Sequence, residues 1–280
     1  MTIFEAYNST KARLKSAGKE DNVFEAKQII KAVTGYDNKE ILLNYTASLA
    51  DFQIGYLEEI LKQREEGYPL QYILGFWDFY GRRYKVGPGV LIPRQDTEIV
   101  VETCLELIKD IKAPEILDLC AGTGCIGITL ADEKENSSVT LVEKYSEAVE
   151  YLTENIKQNS SGSAKLIKGD IFEKCGADKK YDLIVSNPPY IKTQDIAKLQ
   201  PEVRFEPMTA LDGGKDGLDF YRFISREYKS ALKTGGKMVF EIGFDEAAAV
   251  REILENDGYG EITVKKDYYD NDRVIFGTVK

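Results

Sequence analysis

Glu115-Ile116-Leu117-Asp118-Leu119-Cys120-Ala121-Gly122-Thr123-Gly124 is the stretch on which the fold turns. Its first six residues follow Pro114 as a short, mostly apolar run and then meet a glycine loop. That is the pattern of a buried strand that stops at a tight turn. Downstream, strand and helix periods alternate. Strands are expected near residues 138–143, 164–168, 182–186 and 236–242, and helices near 125–132, 146–158, 217–233 and 245–256. Such alternation builds a parallel sheet with helices on both faces. Two further runs, near 260–266 and 273–279, lie too close together for a helical crossover. They are expected as antiparallel neighbours at one end of the sheet. Upstream, Asp96 or Thr97 is placed to cap a helix carrying Val100, Cys104, Leu107 and Ile108 on one face.

Residues 1–75 read differently. Ala26, Ile29, Ile30 and Val33 share one helical face, as do Ile54, Leu57 and Leu61, with Gly18, Gly35 and Asn38 as punctuation. No strand alternation or repeat breaks this helical character. Such a bundle either packs on its neighbour or docks a macromolecule, and these residues alone favour packing. Phe76-Trp77-Asp78-Phe79-Tyr80, Gly81 and Arg82-Arg83-Tyr84-Lys85-Val86 then read as a hairpin broken by Gly87-Pro88-Gly89. The expected organisation is a helical domain at 1–75, a hairpin linker at 76–93 and an α/β domain at 94–280.

Composition removes several classes of function. The chain has 280 residues and a net charge of −10, which disfavours wide contact with a nucleic-acid backbone. No apolar run reaches membrane-spanning length, and Met1-Thr2-Ile3-Phe4-Glu5 does not begin a signal peptide. Cys104, Cys120, Cys125 and Cys175 include no Cys-x-x-Cys pair, and the chain has no histidine. No zinc site is expected, and imidazole-based catalysis is excluded. Sparse cysteines in apolar segments fit buried thiols in a reducing cytoplasm.

In an open α/β sheet, ligands bind beyond the carboxyl ends of the strands. Cys120, Ala121, Gly122, Thr123 and Gly124 sit there, with Asp118 just before them. Residues 122–127 also satisfy Gly-x-Gly-x-x-Gly, and Glu143 stands near the spacing of a ribose-binding acid, so a nicotinamide-dependent dehydrogenase competes. Charge favours another ligand. Asp118 would repel a pyrophosphate but attract S-adenosylmethionine, which carries an ammonium and a sulfonium. Glu143 has two oxygens for two ribose hydroxyls, Asp170 is placed to accept an adenine amino group, and Ile171 or Phe172 to wall the ring.

The apolar run Tyr181-Asp182-Leu183-Ile184-Val185-Ser186 leads into Asn187-Pro188-Pro189-Tyr190. Two prolines end the strand and stiffen the exit. Asn187 Oδ1 and the Pro188 carbonyl then make two acceptors for a planar NH2 group, Pro189 stiffens the turn, and Tyr190 is expected to cover its face. Such acceptors aim a weakly nucleophilic nitrogen at a methyl donor without a titrating base.

With these residues in place the chain resembles the release-factor glutamine methyltransferases from about Gly67 onward. The shared segments are Gly67 to Gly75, Val90-Leu91-Ile92-Pro93-Arg94, the glycine loop, Asn187 to Tyr190, Glu206-Pro207 before Ala210-Leu211, Asp216-Gly217-Leu218 and Glu241-Ile242-Gly243. The resemblance implies a class I methyltransferase fold with a mostly parallel seven-stranded sheet. It implies methyl transfer from S-adenosylmethionine, leaving S-adenosylhomocysteine, to the Gly-Gly-Gln glutamine of a peptide chain release factor. The helical domain would then help hold that factor, and the expected enzyme is a cytoplasmic monomer without sequence-specific nucleic-acid contact. Asn-Pro-Pro-Tyr alone is shared with adenine methyltransferases, so DNA adenine methylation stays as an alternative, as does a non-catalytic binding module. The chain departs from the family pattern at Cys120 and Ala121, where glycine and threonine are usual. It departs again at Gln95-Asp96, where Pro-Glu is usual, and at Glu246, where glutamine is usual.

Overall fold

The computed structural model describes residues 1–160 and 162–280. It divides into two units, Met1–Gly75 with Gln200–Phe205, and Phe76–Leu199 with Glu206–Lys280.

The first unit contains α1 (Ile3–Ser16), α2 (Asn22–Thr34), α3 (Asn38–Leu43), α4 (Asp51–Glu65) and α5 (Leu70–Leu74). Thr2 and Asp37 begin α1 and α3 with capping boxes, and Gly35 ends α2 in the left-handed conformation. Ala26, Ile29, Ile30 and Val33 of α2 meet Leu57, Ile60 and Leu61 of α4 in one core. Inside that core edge Arg64 is only 3% exposed. Its guanidinium donates to both oxygens of Glu25 at 2.8 Å and to the Tyr68 carbonyl at 2.6 Å. The sequence reading did not foresee that Gln200–Phe205 belongs here. Glu202 pairs with Lys19 at 2.5 Å, and Phe205 meets the Tyr68 ring edge-on at 5.2 Å.

The second unit opens with the hairpin β1 (Phe76–Phe79) and β2 (Arg82–Lys85). Then come α6 (Glu98–Leu107), β3 (Glu115–Leu119), α7 (Cys125–Glu133), β4 (Ser138–Glu143), α8 (Ser146–Asn159), β5 (Ala164–Lys168) and β6 (Tyr181–Ser186). It finishes with α9 (Asp219–Glu227), β7 (Leu232–Glu241), α10 (Ala247–Asn256), β8 (Tyr259–Lys266) and β9 (Asp272–Val279). The seven strands run β5-β4-β3-β6-β7-β9-β8, and only β9 opposes its neighbours. This is the mostly parallel class I methyltransferase sheet. Strand order reverses between β3 and β6, which places a crevice at their carboxyl ends.

Three expectations need correction. The hairpin is not a free linker: Phe79 and Tyr84 are buried in the core of this unit, and the Tyr84 hydroxyl lies 2.8 Å from Thr129 Oγ1. The helix expected over 217–233 is shorter, because Leu232 already pairs with Tyr181 and starts β7. Neither Asp96 nor Thr97 caps α6 through its side chain. A short 3-10 turn over Gln95–Thr97 leads in, and Thr97 hydrogen bonds to Glu241.

The Glu25–Arg64 pair yields the first test. Glu202 also lies 3.6 Å from the Arg64 guanidinium, so removing Glu25 leaves the buried charge only partly paired, at a cost of up to about 3–5 kcal/mol. Glu25→Ala is expected to lower stability by up to that amount in denaturant unfolding. Glu25→Ala combined with Arg64→Met is expected to recover most of the loss.

Candidate active site

The site is built by a turn that only small residues tolerate. Beyond β3 the backbone turns left-handed at Cys120 (φ 60°), Gly122 (55°) and Gly124 (80°). A Cβ at Gly124 would lie 2.3 Å from Leu152 Cδ1 and 2.7 Å from Ile128 Cδ1, so glycine is required there. Asn155, fully buried on α8, fixes the turn from behind. Its amide donates to the Thr123 carbonyl at 3.0 Å and to the Lys85 carbonyl at 3.1 Å, and accepts from Lys85 N–H at 2.7 Å. The signal for it was present: an asparagine at helical spacing from Ala148 and Leu152 on an apolar face.

Asp118 is not in the ligand-facing wall where charge reasoning placed it. Its side chain is 1% exposed beneath the loop, and Oδ2 accepts the Gly127 N–H at 2.9 Å. Burial pushes its carboxyl up to about 7, with the Gly127 N–H opposing and the charge of Glu143 adding.

Glu143, at the end of β4, collects three backbone N–H groups. Oε2 accepts from Gly122 at 2.9 Å, and Oε1 from Lys144 at 2.8 Å and Tyr145 at 2.9 Å. A carboxylate has about four acceptor positions. One position on Oε2 remains, so Glu143 has room for one ribose hydroxyl rather than two. Asp170, beyond β5, accepts the Phe172 N–H at 2.9 Å and pairs with Lys144 at 2.7 Å. Burial works against its ionised form, but Lys144 and the Phe172 N–H hold its carboxyl below the usual value.

These groups surround an open cleft of about 110 Å3. One wall is Cys120, Ala121, Gly122, Thr123, Glu143, Asp170 and Ile171, with Phe172 beside them. The opposite side carries Asn187, Pro189, Pro93, Arg94, Thr97 and Pro207. Arg94 is held by Glu206, a 4%-exposed acid that also accepts the Ile92 N–H at 3.0 Å. Gly124, Pro188 and Tyr190 do not line the cleft. The Tyr190 ring is partly buried and packs against the second core cluster.

A strap behind the Asn-Pro-Pro-Tyr turn escaped the sequence reading. Ile191 N–H donates to the Leu211 carbonyl, and Gly213 N–H to the Ile191 carbonyl, both at 2.9 Å. A Cβ at Gly213 would meet Pro189 O at 2.8 Å, and one at Gly217 would meet Tyr190 O at 2.4 Å. Glu246 lies against the strap, with Oε1 where a Cβ at Gly217 would meet it at 2.8 Å. Its Oε2 accepts from Gly243 N–H at 2.9 Å and from the Tyr221 hydroxyl at 3.2 Å. Glutamine carries an acceptor oxygen at the same place, which accounts for the exchange between the two residues at this position. Among the described residues no cluster suits a metal ion, and no helix is long and apolar enough to cross a membrane.

Comparison with known proteins agrees with this geometry. Residues 95–203 match the Methyltransferase small domain, and residues 5–75 the PrmC N-terminal domain. Proteins named release factor glutamine methyltransferase align over nearly the whole chain. The one from Fusobacterium nucleatum is 38% identical over 97% of this chain and 77% of its own length. Those from Geobacter sulfurreducens and Bacillus subtilis are 36% and 35% identical, covering 99% and 98% of this chain and 97% and 96% of theirs. The chain belongs to the release factor glutamine methyltransferase family. The enzyme is therefore a methyltransferase, and its family implies use of S-adenosylmethionine. Among solved structures, the hMettl16 catalytic domain in complex with MAT2A 3'UTR hairpin 6 aligns with TM-score 0.59, at 18% identity over 90% of this chain and 92% of that one. A methyltransferase from Pyrococcus furiosus aligns with TM-score 0.51, at 20% identity over 71% and 89%. At these identities the likeness is one of fold.

Asp118 gives a pH test of the loop. Its folded-state value of about 7 lies above the reference of 3.8, so the folded enzyme binds more protons than the unfolded chain. The resulting stability is present at low pH and is lost as pH rises toward 7. Asp118→Asn keeps an acceptor for Gly127 and removes the titration. Its urea midpoint is expected to exceed that of the wild type at pH 8 by more than at pH 5.

Proposed function

We propose that the enzyme transfers a methyl group from S-adenosylmethionine to the side-chain nitrogen of the glutamine in the Gly-Gly-Gln loop of a peptide chain release factor. The observation that carries this reading is the Asn187 side chain. It opens into the cleft at the end of β6 and has no partner among the described residues. Its carbonyl oxygen is free to accept one hydrogen of a substrate NH2. Pro188 itself lies outside the cleft lining but stands between Asn187 and Pro189, which do line it. Its carbonyl is the second acceptor in this reading, and Pro189 and the strap behind it keep that backbone from yielding.

The wall opposite fits the cofactor. The remaining acceptor position of Glu143 suits a ribose hydroxyl, Asp170 an adenine amino group, and Ile171 and Phe172 an adenine ring. Cys120 to Thr123 let the ligand approach the backbone closely. Bound there, S-adenosylmethionine supplies a methyl group already activated by its sulfonium. The protein's own contribution is aim and exclusion of water. Asn187 and the Pro188 carbonyl fix the direction of the nitrogen and support the positive charge that develops on it. The methyl–sulfur bond breaks as the nitrogen–methyl bond forms, leaving the neutral thioether. The methylated amide nitrogen, strongly acidic while cationic, gives its extra proton to solvent, so the absence of histidine is no obstacle. The helical unit is assigned to holding the release factor. It carries exposed apolar side chains suited to this task, Leu42 and Leu43 on α3 and Phe52 on α4.

The deciding experiment is methyl transfer from labelled S-adenosylmethionine to a release factor, to the same factor with its loop glutamine changed to alanine, and to duplex DNA. Label on the intact factor alone supports the reading, and label on DNA alone replaces it with adenine methylation. Asn187→Ala is expected to reduce kcat by about a hundredfold or more, with cofactor affinity unchanged. Lys144→Ala frees Asp170 from a surface ion pair worth about 0–1 kcal/mol. Calorimetry is expected to show cofactor binding tightened by no more than about fivefold, and weaker binding would contradict the assignment of Asp170.

A further inference from the structure

Glu241 is a buried acid that the mechanism above does not use. It closes β7 one residue beyond the Ser186–Phe240 pair, so it stands beside Asn187 in the register of the sheet. Val185 and Val239, two positions earlier on each strand, lie in the same core cluster, while Ile184, Met238 and Phe240 lie in the other. Side chains alternate along a strand, so Asn187 and Glu241 project to the same face. Glu241 is 2% exposed, and its Oε2 has no hydrogen-bond partner. Its other contact is Thr97, which itself lines the cleft.

An asparagine amide presents either an oxygen or an NH2 group, and without a neighbour to choose, both orientations are populated. A substrate NH2 group needs the oxygen. A carboxylate only accepts, so one placed behind the amide selects the orientation with NH2 toward itself and oxygen toward the substrate. We propose that Glu241 is the positioning residue for Asn187, taking a hydrogen bond on its free oxygen from the Asn187 NH2 when the substrate amide enters. This rests on the role given to Asn187 above.

The surroundings leave that oxygen available. Arg273, from β9, already holds Asp96 at 3.3 Å and Asp267 at 3.1 Å, and its Nε has no partner. Arg94, Asp96, Tyr190, Tyr221 and Cys125 also face Glu241 in this pocket beneath the turn, with Glu246 beyond Tyr190 and Tyr221. Burial pushes the Glu241 carboxyl up to about 7, with Thr97, Arg273 and Arg94 opposing and Asp96 adding. Protonated Glu241 is able to donate as well as accept, so the selection of the Asn187 orientation fades as pH falls through that value.

The test is E241Q, whose amide has the same shape but accepts and donates equally. Its kcat is expected to fall about ten- to a hundredfold, with KM for the release factor and cofactor affinity unchanged. The ionisation near pH 7 in the kcat profile is expected to disappear. E241D, still an acceptor only, is expected to retain more activity than E241Q. Thermal unfolding checks that both variants are folded. Wild-type kcat and an unchanged pH profile in E241Q would overturn the inference, as would a loss confined to cofactor affinity. Asn187→Ala, run beside them, separates the two levels. If it stays active, the reading of the cleft fails and this inference with it. If it is inactive while E241Q behaves as wild type, only the role of Glu241 fails.

Discussion

The contact on which the rest of the cleft depends is the hydrogen bond from Gly122 N–H to Glu143. It joins the loop after β3 to the end of β4, two adjacent parallel strands on one side of the ligand crevice. A buried carboxylate needs donors, and Glu143 finds three on the backbone. The same three N–H groups lie where helices and strands leave backbone donors unpaired, so each side satisfies the other. The loop is thereby held open with its carbonyl and small side chains toward the cleft. Asp118 does a related task one layer down, tying the start of α7 to β3 through Gly127. The two acids, read from sequence as ligand groups of equal standing, act at different depths. Glu143 keeps one acceptor position at the surface of the cleft, and Asp118 keeps none there.

That difference marks where the sequence was legible and where it was not. Strand and helix positions follow from hydrophobic period, and the antiparallel pairing of β8 and β9 follows from the short distance between them along the chain. Asn187, Glu143 and Asp170 meet because each follows a parallel strand, and strand ends converge by topology alone. Side-chain direction is another matter. Whether Asp118 points up into the cleft or down beneath the loop depends on the turn at Cys120, which no periodicity reports. Tyr190 was assigned to the substrate by position, and its ring is found packed against the second core cluster. The strap over Gly213 and Gly217 was invisible for another reason. Its glycines make room chiefly for backbone atoms of Pro189 and Tyr190, far upstream in the chain, and for Glu246 downstream.

The strap also explains how a turn with so few hydrogen bonds of its own stays rigid. Prolines carry no N–H, so Pro188 and Pro189 offer nothing for a ladder. Rigidity comes from outside: the paired run at Ile191 and Gly213, close backbone contact at the two glycines, and Glu246 beneath Gly243 and Tyr221. A turn held this way leaves its own carbonyls uncommitted. An acceptor site for a substrate NH2 requires that condition, and a turn stabilised by internal hydrogen bonds would have spent those oxygens.

Cys120 is the first residue at which the loop departs from the family pattern. It stands where the family usually has glycine, and its φ is 60°. A side chain in the left-handed region costs about 1–2 kcal/mol, so glycine is the unstrained choice. The chain offsets the strain locally. The thiol hydrogen bonds with Ser186, whose own hydroxyl donates to the Leu119 carbonyl at 2.7 Å. Cys120 thus links the ends of β3 and β6, the two strands between which the topology reverses. Burial, and then the charge of Glu143, push the thiol up, so it stays protonated and serves as a small polar wall of the cleft. Ala121 beside it removes the hydroxyl that threonine would place there, so the loop presents one side-chain polar group fewer to the cleft.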